Sequence, residues 1–144
     1  MRVSFRPAVA SDIAFCESLS RANMERYHAA RGIAWNGERF LSSWNDFENH
    51  LILADDEVAG VLRLQAGNDA LDIRDLQLLP AWQSQGVGSR AIAWTRAEAA
   101  RRGFPRVGLR VFADNPALQL YERLGFGIQT VDEHGKVHMI SPAA

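Results

Sequence analysis

LDIRDLQLLPAWQSQGVGSRAIAW, residues 71–94, reads as a strand that runs into a glycine turn and on into a long helix. Within it, Gln83-Ser84-Gln85-Gly86-Val87-Gly88-Ser89 places small residues where backbone can come close to a ligand. A helix starting at those glycines aims unpaired N–H groups and the positive end of its dipole at that spot, the outline of a phosphate or pyrophosphate site. No Lys-Ser or Lys-Thr pair follows the glycines, so the spacing of the nucleotide P-loop fails. Gly86-Val87-Gly88-Ser89-Arg90-Ala91 fits the relaxed dinucleotide pattern G-x-G-x-x-A, but it comes late in the chain, and residues 80–85 separate it from the strand where that motif needs a tight turn. Taken alone, the glycines fit a helix packed closely on a sheet as well as they fit an anion site.

The 144 residues, 47% hydrophobic and 23% charged, point to one compact domain spanning 1–144, with neither disorder nor a second domain expected. A formal net charge of −1 provides no field of one sign, so nucleic acid and anionic membrane are not expected partners. Cys16 is the only cysteine, which excludes an internal disulfide, and its place in a helical pattern makes it a packing residue rather than a nucleophile. No long apolar run follows basic residues at the N-terminus and no segment has bilayer length, so the expected location is the cytoplasm.

Working outward, Val3 and Phe5 form a short strand closed by Pro7, and Ser11-Asp12 suits the N-cap of a helix over about 12–30. Its apolar face takes Ile13, Phe15, Cys16, Leu19 and Met24, leaves Glu17, Arg21 and Arg26 wet, and ends at Gly32. A second helix enters at Asn36-Gly37 and leaves near Asn45-Asp46; Ala34, Trp35, Phe40, Trp44 and Phe47 around it read as core in preference to pocket lining. Residues 50–54 and 58–65 make a hairpin across Asp55-Asp56-Glu57, and 70–79 add a third antiparallel strand. The helix from Gly86 stops at Gly103 and Pro105 and feeds a strand through Val107, Leu109 and Val111. A strand–helix–strand crossover requires that pair to be parallel, so the sheet is mixed. Asn115-Pro116 opens a short helix that Gly125 ends, and 126–131 with 136–140 form a closing hairpin.

With both punctuated segments in hand, the chain resembles the Gcn5-related N-acetyltransferase (GNAT) superfamily. Gln83-Ser84-Gln85-Gly86-Val87-Gly88 matches that family's acetyl-CoA loop, Gln/Arg-x-x-Gly-x-Gly/Ala, and residues 115–126, NPALQLYERLGF, match its Asn-x-x-Ala-x-x-x-Tyr-x-x-x-Gly-Phe helix. The resemblance implies an α/β (α+β) fold: a mixed, mostly antiparallel sheet of six to seven strands, about four flanking helices, and a parallel strand pair that splays to admit pantetheine as an added strand. It implies acetyl-CoA as co-substrate and no metal. The acceptor is a primary amine of a small molecule, peptide or protein, attacking directly in a ternary complex, and a homodimer is left open. The alternative of another class is a non-catalytic acyl-CoA-binding or sensing domain of the same fold.

Carried over residue by residue, the resemblance makes Gln83, Ser84, Gln85, Gly86, Val87, Gly88 and Ser89 pyrophosphate-binding. It gives Leu78 backbone contacts to the cofactor arm and the thioester carbonyl, and Asn115 a contact with the arm. Tyr121 matches the family's general acid, and a phenol with a pKa near 10 is protonated at neutral pH and can donate to a departing thiolate. Many relatives carry a glutamate on the central strand, where Arg74 stands here. Asp72, on the same strand face, is the expected base, directly or through a water, whereas the parity of Asp75 turns it away unless a bulge intervenes. Arg74 either recognises a substrate carboxylate or lies solvated on the surface. Glu25, Tyr27 and His28 are substrate-side candidates because that region overlies the site in relatives. His134 and His138 straddle a turn, so no metal site is expected from them.

Overall fold

The computed structural model describes every residue from Met1 to Ala144. Its elements are β1 (Val3–Pro7), α1 (Ile13–Ala29), α2 (Gly37–Asp46), β2 (Glu48–Ala54), β3 (Glu57–Ala66), β4 (Ala70–Leu78), α3 (Val87–Arg101), β5 (Arg106–Phe112), α4 (Ala117–Arg123), β6 (Gly127–Val131) and β7 (Lys136–Pro142). The hydrogen-bonded strand order is β1-β2-β3-β4-β5-β7-β6. β4 and β5 are parallel, as the α3 crossover demands, and β1/β2, β2/β3, β5/β7 and β6/β7 are antiparallel. The expected mixed sheet with one parallel pair and four helices is therefore the one found. The chain divides into two compact units, Met1–Gln65 with Arg74–Ala91, and Ala66–Ile73 with Ile92–Ala144.

The first unit is built on local punctuation. Asp55 and Asp56 both take the left-handed region, φ 50° and 67°, which matches the strand twist at the two-residue β2–β3 turn. The Asn36 side chain accepts from the Arg39 N–H at 3.0 Å and caps α2. The start of α1 differs from expectation. Asp12 accepts from the Val9 N–H at 2.9 Å and so closes a 3-10 turn over Ala10–Asp12, leaving α1 without a side-chain cap. Cys16, Leu19, Phe40, Leu51 and Val61 form the core, with Ile13, Phe15, Trp35 and Trp44 packed against it. Glu17, expected to be wet, accepts from the Trp35 indole at 2.9 Å.

In the second unit the parallel pairing runs from Ala70↔Arg106 to Ile73↔Leu109, and β7 continues the register with Leu109↔Met139 and Arg110↔His138. Strand alternation buries Leu71, Ile73, Val107, Leu109, Val137 and Met139. The opposite face carries Asp72, Gly108, Arg110 and His138. Asn115 accepts from the Ala117 N–H at 2.9 Å at the start of α4, and Gly125, φ +96°, ends that helix as expected.

Candidate acyl-transfer residues in two units

Between β4 and α3 in the first unit the backbone turns sharply. A 3-10 turn over Pro80–Trp82 follows the strand, a feature the sequence reading did not anticipate. Ser84 then takes φ 59° and Gly86 φ 84°, and α3 begins at Val87 with the Arg90 N–H donating to the Gly86 carbonyl at 3.2 Å. Gln83 to Gly86 are exposed, Val87 is fully buried, and no atom lies within 4 Å of where a Cβ would sit on Gly86. A serine held in the left-handed region marks local strain of the kind that concentrates at ligand sites. The first-turn N–H groups of a 15-residue helix have no intrahelical acceptor, so the buried Val87 roots a loop whose open side faces solvent with donors.

The end of β4 is held from two sides. The Leu78 carbonyl accepts from Asn23 Nδ2 at 3.0 Å and from Gln83 Nε2 at 3.1 Å, while the Leu79 N–H donates to the Ala59 carbonyl at 2.8 Å. Gln83 thus braces its own loop against the strand, and Asn23, which no motif flagged, ties α1 to it. Gly60 is required beside them, because a Cβ there would collide with the Gln77 carbonyl.

Parity alone does not say what Asp75 meets. Its carboxylate accepts from Ser20 Oγ at 2.6 Å and Gln77 Nε2 at 2.8 Å, and it lies 3.7 Å from the guanidinium of Arg63. Arg63 is 3% exposed, sits 4.3 Å over Phe40 and 4.8 Å over Phe47, and donates to Asn49 and Ser43. Burial pushes its pKa below the ordinary arginine value and Asp75 pulls it back. Arg74, adjacent in sequence, reaches the same Phe47 ring at 4.9 Å and donates to Gln65 at 3.0 Å. Asp75 and Arg74 therefore both lie at one arginine–aromatic group, and each Asp75 oxygen accepts a hydrogen bond, one from Ser20 and one from Gln77. Of the remaining candidates in this unit, Glu25 is exposed and Tyr27 is buried, its hydroxyl accepting from Arg26 at 2.7 Å. His28 is half-buried with its ring 6.1 Å from Trp35.

In the second unit Tyr121 is half-buried on α4, its ring 6.0 Å from Phe126 and edge-on to it, and its carbonyl accepts from the Phe126 N–H at 3.0 Å. Seven residues make a weak helix in isolation, and this one is held at its C-terminus from outside. Arg96 donates to the Leu124 carbonyl and, at 2.6 Å, to Ser141 Oγ, with its guanidinium 5.0 Å over the Phe126 ring. Burial lowers the Arg96 pKa. Asp72 is half-buried beside Gly67 and Gly108. No group of three or more His, Cys, Asp or Glu side chains is placed to hold a metal ion, and no helix is long and apolar enough to cross a membrane.

The sequence matches the Acetyltransferase (GNAT) family over residues 14–126. No curated protein matches it. Among solved structures, the PaiA N-acetyltransferase of Thermoplasma acidophilum, in complex with coenzyme A, superposes with a TM-score of 0.76 at 16% identity, over 99% of each chain. The ribosomal-protein-S18-alanine N-acetyltransferase of Escherichia coli gives 0.76 at 20% identity, over 99% of this chain and 95% of that one. A GNAT family acetyltransferase of Elizabethkingia anophelis with acetyl-CoA bound gives 0.75 at 15% identity, over 97% of each. At these identities the superpositions speak for the fold.

Proposed function

Because the chain belongs to the acetyltransferase (GNAT) family, we propose that it transfers an acetyl group from acetyl-CoA to a primary amine of a small molecule, peptide or protein, by direct attack with both substrates bound. The family match runs through both compact units, which supports reading residues 1–144 as one N-acetyltransferase domain. The observation that carries the proposal is the loop before α3. Ser84 and Gly86 in left-handed conformations, open space at Gly86 and a 15-residue helix starting at Val87 suit a pyrophosphate.

Gln83 to Ser89 would hold the pyrophosphate. Leu78 would contact the pantetheine arm through its backbone and, with its neighbours, polarise the thioester carbonyl; Asn115 would contact the arm. Tyr121 would donate a proton to the leaving thiolate and Asp72 would assist deprotonation of the amine. Arg74, Glu25, Tyr27 and His28 are assigned to the acceptor side. A single, unpaired and buried cysteine suits a reducing compartment, and on that ground the reading places the protein in the cytoplasm.

The test combines calorimetry with coenzyme A and thiol release from acetyl-CoA in the presence of a diamine, free lysine and an alanine-terminated peptide. Amine-dependent thiol release is expected. Coenzyme A binding without release from any amine would favour the non-catalytic acyl-CoA-binding domain, and absence of binding would remove the loop from the account.

A further inference from the structure

We propose that His138 is a catalytic residue of this reaction, accepting the proton of the acceptor's ammonium with the Asp72 carboxylate facing the same ring nitrogen across Gly108; the proposal rests on the acetyl-transfer reading above. The strand register brings the two together within the second unit. Asp72 on β4 pairs with Gly108 on β5, Gly108 pairs with Ile140 on β7, and His138 pairs with Arg110, so all share the face opposite the buried Leu109 and Met139. Gly108 stands on the diagonal between carboxylate and imidazole. The position its Cβ would take is already filled by Asp72 Oδ1 and lies 3.6 Å from His138 Nε2. A glycine inside a buried strand forfeits packing and marks a place where other groups come close. Here its missing side chain lets a carboxylate and an imidazole face one position over β5.

The chemistry favours the imidazole as acceptor and the carboxylate as its support. An ordinary carboxylate is too weak a base to draw a proton from an ammonium at neutral pH, whereas imidazole is matched to the operating range. A carboxylate nearby favours the imidazolium that forms. The charged groups facing His138 are Asp72 beyond Gly108, Arg110 directly across on β5, and Lys136 on its own strand, whose ammonium sits 5.1 Å over the Phe112 ring; its β6 partner, Thr130, is neutral. In balance, the ammonium N–H bond breaks and its proton goes to Nε2. The freed lone pair forms the C–N bond as the C–S bond breaks. The thiolate takes the Tyr121 proton, the second proton shed by nitrogen restores the phenol, and the imidazolium discharges to water.

The experiment compares pH–rate profiles of thiol release for the wild type, Asp72→Asn, His138→Gln and the double variant. His138→Gln should flatten the acid side of the kcat profile and lose about 10²-fold in kcat, with the KM for acetyl-CoA unchanged. Asp72→Asn should lower kcat about 10-fold when His138 is present and far less when it is absent, because both groups act on one proton. Losses that simply add in the double variant, or a His138→Gln enzyme with the wild-type profile and kcat, overturn the proposal. Absence of thiol release by the wild-type protein from every amine overturns the underlying reading, and the proton-acceptor role with it.

Discussion

Asp72→Asn and Asp75→Asn should separate into a chemical variant and a structural one, although the two carboxylates lie three positions apart on β4. Asp75 is the only carboxylate within salt-bridge distance of Arg63, at 3.7 Å, and the side chains are 13% and 4% exposed. Removing one partner of a buried pair leaves an uncompensated charge and typically costs about 3–5 kcal/mol. Arg63 keeps its bonds to Asn49 and Ser43 and the faces of Phe40 and Phe47, so the lower end, about 3 kcal/mol, is expected. At about 2–4 °C per kcal/mol for a chain of roughly this size, Tm should fall by about 6–12 °C. Asp72→Asn removes no buried ion pair and should cost less than about 1 kcal/mol. Thermal and urea melts followed by circular dichroism measure both. Adding Arg63→Met to Asp75→Asn should recover much of the loss, because the orphaned charge goes with it. An Asp75→Asn melt within about 2 °C of wild type, or strict additivity of the pair, would refute the reasoning.

Three other outcomes follow from the same contacts. Gly88→Glu should abolish coenzyme A binding by calorimetry in a folded protein, since it sets a carboxylate in the first turn of α3 where the pyrophosphate would lie; unchanged affinity would rule the loop out. Tyr121→Phe keeps the ring against Phe126 and should leave Tm and coenzyme A affinity intact while lowering kcat about 10² to 10⁴-fold; equal kcat values would end the general-acid assignment. Burial pushes the Cys16 thiol from 9.0 up to about 11, so the fold holds the proton more tightly than the unfolded chain does. The stability it contributes is intact below about pH 9 and is lost as pH rises toward about 11. Alkylation of native protein by iodoacetamide at pH 8 should accordingly be negligible, and rapid labelling there would contradict the burial.

Local rules explain what the sequence alone determined. The turn at Asp55-Asp56, the caps at Asn36 and Asn115 and the stop at Gly125 each depend on bonds within about four residues, and all stand where the residue types place them. The two family motifs are local in the same sense, so the acetyltransferase (GNAT) family was legible before any fold. Asp12 shows the limit even there, since one acidic side chain can close a 3-10 turn or cap a helix, and it closes the turn. What only the tertiary structure decided is which charges are spent. Asp75 is committed to Ser20 and Arg63, 55 and 12 positions away, and Arg96 is committed to Leu124 and Ser141. Asp72 and His138 flank Gly108 only because a parallel and an antiparallel register bring β4, β5 and β7 side by side. Period-two alternation names the face of a side chain but not its neighbour, and a carboxylate becomes a structural counter-ion or a catalytic partner according to the charge that the register sets beside it.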